Sequence, residues 1–346
     1  MTIHRVEDSP QIDTTSLNDQ PNFGTIPGLV WAFRIHGDGT AEPLFADKPI
    51  ENHFEGWVWI HLDLASTLAT QWLAASGLPK AGIATMLSRD RHQQLHATGS
   101  FIHGVIADLE RDLGGVRDCI GHLRFVMTDR YLVSGRHRHL SAVEAARIAI
   151  ESGTHRLPHA ASLLELIVEQ VADGIDQVAD SMADELDGIE NQIAEGSGPE
   201  RSKLARLRRG TVQMHRQLSG LRAIFHRLER RCSEDLKPGL QLAASRLAQR
   251  LDELDHSVLE LRERGGRLQE EMSIMMAEET NRHLYVLTTL TTLLLPATLV
   301  TGVFGMNTKA LPLTETDSGF LIAMGLVFGA SVAVYLLMRR IGVFRL

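Results

Sequence analysis

The sequence has little cysteine, little net charge and none of the short motifs that mark the common enzyme families. Its two cysteines, Cys119 and Cys232, lie far apart in 346 residues. This spacing excludes a disulfide framework, a CxxC redox pair and a cysteine zinc finger. The net charge of −8 gives no reason to expect nucleic acid as a partner. No Walker A, GxSxG, HExxH or GxGxxG motif occurs, so we expect no enzymatic activity and no cofactor.

Long apolar runs are confined to the C-terminal end of the chain. Residues 284–308 carry no charged side chain, and residues 319–338 form a second uncharged run. A bilayer is spanned by about 20 apolar residues in a helix, so each run predicts a transmembrane helix. The polar N-terminal stretch has no apolar segment of the signal-peptide kind. We therefore expect a large polar domain followed by a hairpin in a lipid bilayer.

The first half of the chain predicts a mixed α+β domain. Residues 1–26 have the polar composition of a disordered arm, and the domain is expected over residues 27–155. Five segments rich in aromatic and β-branched residues predict strands: GLVWAFRIH, WVWIHLDL, SFIHGVIADL, HLRFVMTD and RYLVSGR. Helices are expected at LATQWLAASG, LPKAGIATMLS and LSAVEAARIAIESG. The pattern is typical of a mixed sheet of four or more strands with flanking helices.

Residues 156–236 predict an antiparallel hairpin of two helices with opposite charge. Between residues 157 and 200 there are 11 Asp and Glu and no Lys or Arg, whereas residues 201–231 hold 10 Lys and Arg and one acid. One interpretation is that the two helices are matched by charge along their flanks. Another, compatible with it, is that the acidic face concentrates cations near the protein.

Residues 237–283 predict a coiled-coil-like stalk helix. Apolar side chains recur at spacings of four and three from Leu240 to Met275, and a single helix is expected to continue from Pro238 to Phe304. Because such a seam needs a partner, we expect the protein to form a homo-oligomer.

The charges around the apolar runs predict the topology. The spans are residues 284–308 and 319–338, the connecting loop is 309–318, and the tail is 339–346. Arginines precede the first span and follow the second, whereas the loop carries Lys309, Glu315 and Asp317. By the positive-inside rule both termini are cytoplasmic and the loop is outside, in a multi-pass protein of the inner (plasma) membrane.

The first span is rich in threonine and is expected to line a pore. One helical stripe alternates apolar and polar residues: Asn281, Leu284, Thr288, Thr291, Leu295, Thr298 and Gly302. The alternative is that the threonine hydroxyls bond to carbonyls one turn back in an ordinary helix. The second span has few polar residues and is expected to pack against the first or against lipid.

The end of the first span carries the signature of a known family. Gly305-Met306-Asn307, with Pro296 about three turns before it, a short loop and a basic tail, resembles the CorA superfamily of divalent-cation transporters. The resemblance implies a funnel-shaped homopentamer whose first spans line a central pore. The stretches PGLVWAFRIHGDG, WVWIHLDLAS, DRYLVSGRHR and LPATLVTGVFGMN are similar to the zinc-transporting ZntB branch. The chain departs from that branch at Lys309, where a glycine is common.

The pore residues permit passage of a largely hydrated ion. Asn307 would present a ring of amide oxygens, which are hard neutral ligands suited to the water shell of a divalent ion. No Asp, Glu, His or Cys lies in residues 284–308 to bind a dehydrated zinc ion. The resemblance also implies proton coupling, for which His283 is the titratable residue nearest the inner entrance and a weaker metal-ligand candidate.

Two histidine pairs are secondary candidates for metal binding. His92 and His96 would share a face if they lay on a helix, and His137 and His139 would face one way on a strand. A structural or solvent-exposed role is the favoured interpretation of both pairs. The resemblance implies that the magnesium branch of the superfamily is gated through acidic cytoplasmic sites between subunits, and Arg246 stands where one of those acids would be sought.

Three functions remain open on the sequence. The first is a zinc-uptake transporter, with or without proton coupling. The second is a channel of the same architecture for Mg²⁺, Co²⁺ or Ni²⁺. The third, of another class, is a membrane-tethered coiled-coil scaffold that conducts nothing.

Overall fold

A computed structural model describes residues 23–45, 55–98, 101–109, 120–195, 201–231, 238–305 and 319–341. The predicted arm up to residue 22, and Met306, Asn307, Lys309, Glu315 and Asp317, lie outside the described residues. The chain divides into two compact units, Met1–Gly266 and Arg267–Leu346, each considered by itself below.

A seven-stranded mixed sheet forms the centre of the first unit. Its strands are β1 Leu29–Ile35, β2 Ala41–Leu44, β3 Trp57–Asp63, β4 Gln94–Thr98, β5 Phe101–Leu109, β6 Ile120–Met127 and β7 Tyr131–Arg136. The order across the sheet is β2-β1-β3-β7-β6-β5-β4. β3 and β7 are parallel, and the other neighbours are antiparallel. The predicted mixed sheet is confirmed.

Helices cover both faces of this sheet, so its central strands are buried on both sides. α1 (Thr67–Ala75) and α2 (Lys80–Leu87) place Leu73 and Met86 in a core cluster with Ile60 of β3. α3 (Ser141–Glu151) buries Val143 and Ala146, and its Ala142 N–H donates to Asp108 of β5 at 2.9 Å.

The folded domain begins earlier than expected. Phe23 and Ile26 are buried in the core cluster, and the Trp72 indole N–H donates to the Phe23 carbonyl at 3.2 Å. The last residues of the predicted arm are therefore part of the domain, because an aromatic anchor there outweighs the polar composition around it.

Neither histidine pair lies on the secondary structure that its spacing suggested. His96 is in the edge strand β4 and His92 is in the bend before it, so the two do not share a helix face. β7 ends at Arg136, which leaves His137 and His139 beyond the strand. The short strands β2 and β4 were not predicted, since neither has a run of β-branched residues.

Three long helices follow, and the last of them, α6, continues past the end of the first unit. α4 spans Ala160–Ala194, α5 spans Arg201–Arg231, and α6 runs without a break from Pro238 to Phe304. The predicted single helix is confirmed. Ala244, Leu247, Leu251, Leu254 and Val258 of its apolar seam are buried within one chain. Over this stretch the expectation that the seam needs a second chain is wrong.

Both helices of the α4–α5 hairpin form close ion pairs with α6. Acids of α4 pair with α6 arginines: Glu165 with Arg246, Asp176 with Arg250, and Asp187 and Glu190 with Arg264. Arg222 of α5 pairs with Asp252 and Asp255 of α6. Between α4 and α5 themselves, Arg206 and Glu185 approach to 3.8 Å. Arg246 is thus engaged by an acid of its own chain.

The second unit contains the end of α6 and α7 (Gly319–Ile341). α6 continues through Pro296. The Ser331 hydroxyl of α7 donates to the Leu293 carbonyl of α6 at 3.4 Å. Both helices are long and apolar enough to cross a membrane, as the sequence predicts.

Candidate ion pathway

The predicted pore stripe lies on an exposed face of α6. Every member of the stripe is solvent-exposed in the single chain: Asn281, Leu284, Thr288, Thr291, Leu295, Thr298 and Gly302. Helical periodicity of 3.6 residues keeps positions spaced three and four apart on one side. The stripe is therefore available to line a pathway or to meet another molecule.

A second face of the same helix turns toward α7. Thr289 and Thr292 are half-buried there, one position along from Thr288 and Thr291. Thr289 lines an apolar cavity of about 140 Å³ with Leu293 of α6 and with α7 residues that include Val334. The sequence analysis treated the threonines of the span as one group, but in the structure they lie on two faces of α6.

Several threonine hydroxyls bond to carbonyls of the preceding turn. The hydroxyl-to-carbonyl distances are 2.8 Å from Thr291 to Leu287, 2.7 Å from Thr292 to Thr288, 2.9 Å from Thr298 to Leu295 and 2.9 Å from Thr301 to Ala297. The alternative interpretation of the threonines holds for these four. Each such hydroxyl still keeps oxygen lone pairs that accept hydrogen bonds from water, so back-bonding and pore lining are compatible.

The C-terminal end of α6 is closed by a turn at Gly305. Its N–H donates to the Thr301 carbonyl at 2.9 Å, and a Cβ on Gly305 would lie 3.0 Å from that same oxygen. Space around Gly302 is open. A small residue is therefore favoured at 305, the one member of the Gly-Met-Asn signature inside the described residues.

The N-terminal end of the stripe carries polar groups but, among the described residues, no cluster of metal ligands. Asn281, Arg282 and His283 are all exposed. Within the part of the chain that the structure describes, no three His, Cys, Asp or Glu side chains are placed to hold a metal ion.

The acidic helix α4 concentrates negative charge. Partial burial, and then the neighbouring carboxylates of Glu165 and Asp173, raise the pKa of Glu169, while Arg246 opposes the shift. The α6 arginines neutralise one edge of α4, and the acids left exposed can attract cations to its surface.

Sequence reasoning missed the polar contacts that join α5 to α6. Asp255 is nearly buried. Its carboxylate forms an ion pair with Arg222 and lies 2.9 Å from His215 Nδ1. His226 Nε2 lies 3.1 Å from Asp252. The basic run of α5 and the acids of α6 were visible in sequence, but their pairing follows from how the helices pack.

Comparison with known proteins assigns the family. A family model described as CorA-like Mg²⁺ transporter protein matches residues 54–340. The zinc transport protein ZntB of Yersinia enterocolitica is 26% identical over 303 residues, which cover 85% of this chain and 90% of that protein. ZntB of Photorhabdus laumondii is 26% identical over 308 residues, covering 87% and 91%.

Solved structures share the fold. The full-length CmaX protein superposes with a TM-score of 0.77 at 24% identity, covering 92% of this chain and 98% of that one. The CorA magnesium transporter of Methanocaldococcus jannaschii gives a TM-score of 0.73 at 18% identity, covering 90% and 98%. With the architecture described above, these matches show that the chain is a membrane protein that belongs to the CorA superfamily, a family of transporters and not of enzymes.

Proposed function

We propose that this protein carries Zn²⁺ into the cell through a pore lined by the exposed stripe of α6. The observation that carries the proposal is that α7 covers the side of α6 that bears Thr289, whereas it leaves the predicted pore stripe uncovered, together with most apolar side chains of this segment. Similarity to zinc transport proteins over 85% of the chain supports zinc as the ion.

The ion would pass with most of its water shell in place. Asn307 would form the outer ring, and the hydroxyl oxygens of Thr298, Thr291 and Thr288 would accept hydrogen bonds from the ion's water molecules deeper in the pore. Selectivity would then depend on ring size more than on ligand softness. Lys309 at the mouth would lower the local cation concentration, and Glu315 and Asp317 would raise it.

Proton coupling would use a titratable group at the pathway. His283 is exposed one residue before the apolar run of α6, which makes it the candidate at the inner entrance. Zinc transport that responds to a pH gradient in the parent protein but not in His283→Ala would support this role.

A channel for Mg²⁺, Co²⁺ or Ni²⁺ is the second candidate. It is favoured by the absence of Asp, Glu, His and Cys from residues 284–308, because hydrated Mg²⁺ needs no nitrogen or sulfur ligand. The scaffold interpretation is less favoured, since the matched family is one of transporters.

The pore requires several copies of the chain. We propose a homopentamer around the α6 stripes, in the inner membrane with both termini in the cytoplasm. The buried seam of residues 244–258 leaves the membrane end of α6 as the exposed surface that such an assembly would cover. Native mass spectrometry in detergent should give five times the chain mass of 38.3 kDa.

Adjacent threonines provide a matched test of the pore face. In a background with Cys119→Ser and Cys232→Ser, Thr288→Cys and Thr291→Cys place a thiol on the exposed stripe. Thr289→Cys and Thr292→Cys place it at the same depth on the face toward α7. A cationic thiol reagent should strongly reduce zinc flux through the first pair of variants and leave the second pair unchanged. Block through the second pair alone would contradict the proposed pore face.

A further inference from the structure

Two histidines lie side by side on the edge strand β4 and on its neighbour β5. His96 of β4 and His103 of β5 are directly paired in the antiparallel register. Their ring centroids are 5.2 Å apart, with the planes inclined by 26°. Cross-strand partners have Cβ atoms about 4.5–5.5 Å apart, so both imidazoles can reach one small ion.

The two side chains differ in freedom. His103 is 8% exposed, and its ring also stacks on Phe101 with centroids 5.6 Å apart. His96 lies on the edge strand and is exposed, with a 3.2 Å contact from its Nε2 to the Gln94 amide oxygen. The His96 side chain can therefore rotate toward an ion that is bound to the fixed His103 ring.

Thr85 of α2 fixes the His103 ring. Its hydroxyl oxygen lies 2.8 Å from His103 Nδ1. If Nδ1 carries the proton and donates it to that oxygen, the lone pair of Nε2 is free. A hydrogen bond on one imidazole nitrogen that orients the other is the usual outer-shell arrangement of metal-binding histidines.

We propose that His96 and His103 together bind one Zn²⁺ at this edge of the sheet, with water completing the coordination. Each imidazole nitrogen donates a lone pair and displaces one water molecule from the hydrated ion. Tetrahedral zinc accepts imidazole nitrogen at about 2.0–2.1 Å. The site is separate from the pore and does not rest on the proposed transport function.

Zinc binding to the full-length protein in detergent tests the site directly. Equilibrium dialysis with radioactive zinc should show one fewer ion per chain for His96→Ala than for the parent protein. His92→Ala is the matched control, because His92 is an exposed histidine four residues away that contacts Asp90 instead. An unchanged zinc count in His96→Ala would overturn the proposal.

A second variant separates ligation from simple packing. Thr85→Val keeps the shape of the side chain but removes the hydroxyl that orients His103, so zinc affinity should fall by about tenfold or more. Electron paramagnetic resonance with Cu²⁺ as the probe should show two nitrogen ligands in the parent protein and one in His96→Ala. Two nitrogens in both proteins would contradict the assignment. Neither measurement depends on ion transport.

Discussion

At the scale of single residues, His61 is a titratable group enclosed in the core of the sheet domain. It is fully buried, its Nδ1 lies 2.8 Å from the Ser134 hydroxyl, and its ring stacks on Trp31 with centroids 4.3 Å apart. Burial, with a smaller effect of Arg136, holds the pKa of His61 well below its usual value. The folded protein therefore contains His61 in its neutral form.

This environment predicts a loss of stability in mild acid. Because the unfolded state binds a proton at His61 more readily than the folded state, stability should decrease as the pH falls below about 6.5. The contribution of one such group is at most about 1.4 kcal/mol per pH unit. Burial lowers the pKa of His103, His122 and His137 as well, so they act in the same direction.

The variant His61→Asn tests this prediction, since asparagine can keep a hydrogen bond to Ser134 but does not titrate. Thermal unfolding at pH 7.5 and 5.5 should show a smaller acid-induced decrease for His61→Asn than for the parent protein. His92→Asn is the control, because that side chain is 92% exposed. An equal decrease in all three proteins would show that His61 does not contribute.

The histidine pairs predicted from the sequence also show that spacing along the chain does not identify neighbours across a sheet. His92 and His96 have helical spacing, yet the true partner of His96 is His103, seven positions away on the next strand. Spacing along the chain identifies neighbours on a helix, whereas neighbours across a sheet depend on a strand that the sequence did not predict. The Asn307 ring was predicted from a signature alone and stays a prediction.

At the scale of elements, the long helices were predictable because their patterns are long. Heptad spacing predicted α6 from Pro238 to Phe304, and the structure gives the same bounds. What the pattern did not reveal is which helix covers the seam. The same apolar stripe fits a second chain or the chain's own α4 and α5, and three-dimensional packing decides between them.

The ion pair between Arg222 of α5 and Asp255 of α6 predicts that replacing Arg222 lowers the stability of the fold. In Arg222→Ala the nearly buried carboxylate of Asp255 would keep His215 but lose its arginine. Loss of a hydrogen bond to a charged group in such a place costs about 1.5–3 kcal/mol.

Denaturant unfolding of the detergent-solubilised protein measures this cost. Arg216→Ala is the matched control, since Arg216 is an exposed arginine of the same helix, and it should change stability by less than about 0.5 kcal/mol. Equal effects of the two substitutions would mean that the Arg222 ion pairs add no stability.

At the scale of the whole molecule, the charge pattern around the two spans predicts the orientation. Arg339 and Arg340 lie in the last turn of α7, and Arg282 lies just before the apolar run of α6. Arginines of this kind stay on the cytoplasmic side of a membrane. The loop of residues 309–318 should therefore face outward.

Cysteine labelling in intact cells checks this orientation. In a background without Cys119 and Cys232, an impermeant maleimide should label Glu315→Cys but label Arg340→Cys only after the membrane is opened. Labelling of Arg340→Cys in intact cells would place the termini outside and contradict the proposed topology.

Ion uptake into proteoliposomes is the most direct test of the proposed function. Purified protein should take up Zn²⁺ faster than Mg²⁺, Asn307→Ala should abolish most of that uptake while insertion in the membrane persists, and an inward proton gradient should increase the rate if transport is coupled. Magnesium uptake that exceeds zinc uptake and ignores the gradient would contradict the zinc assignment and make the protein a channel for hydrated divalent ions.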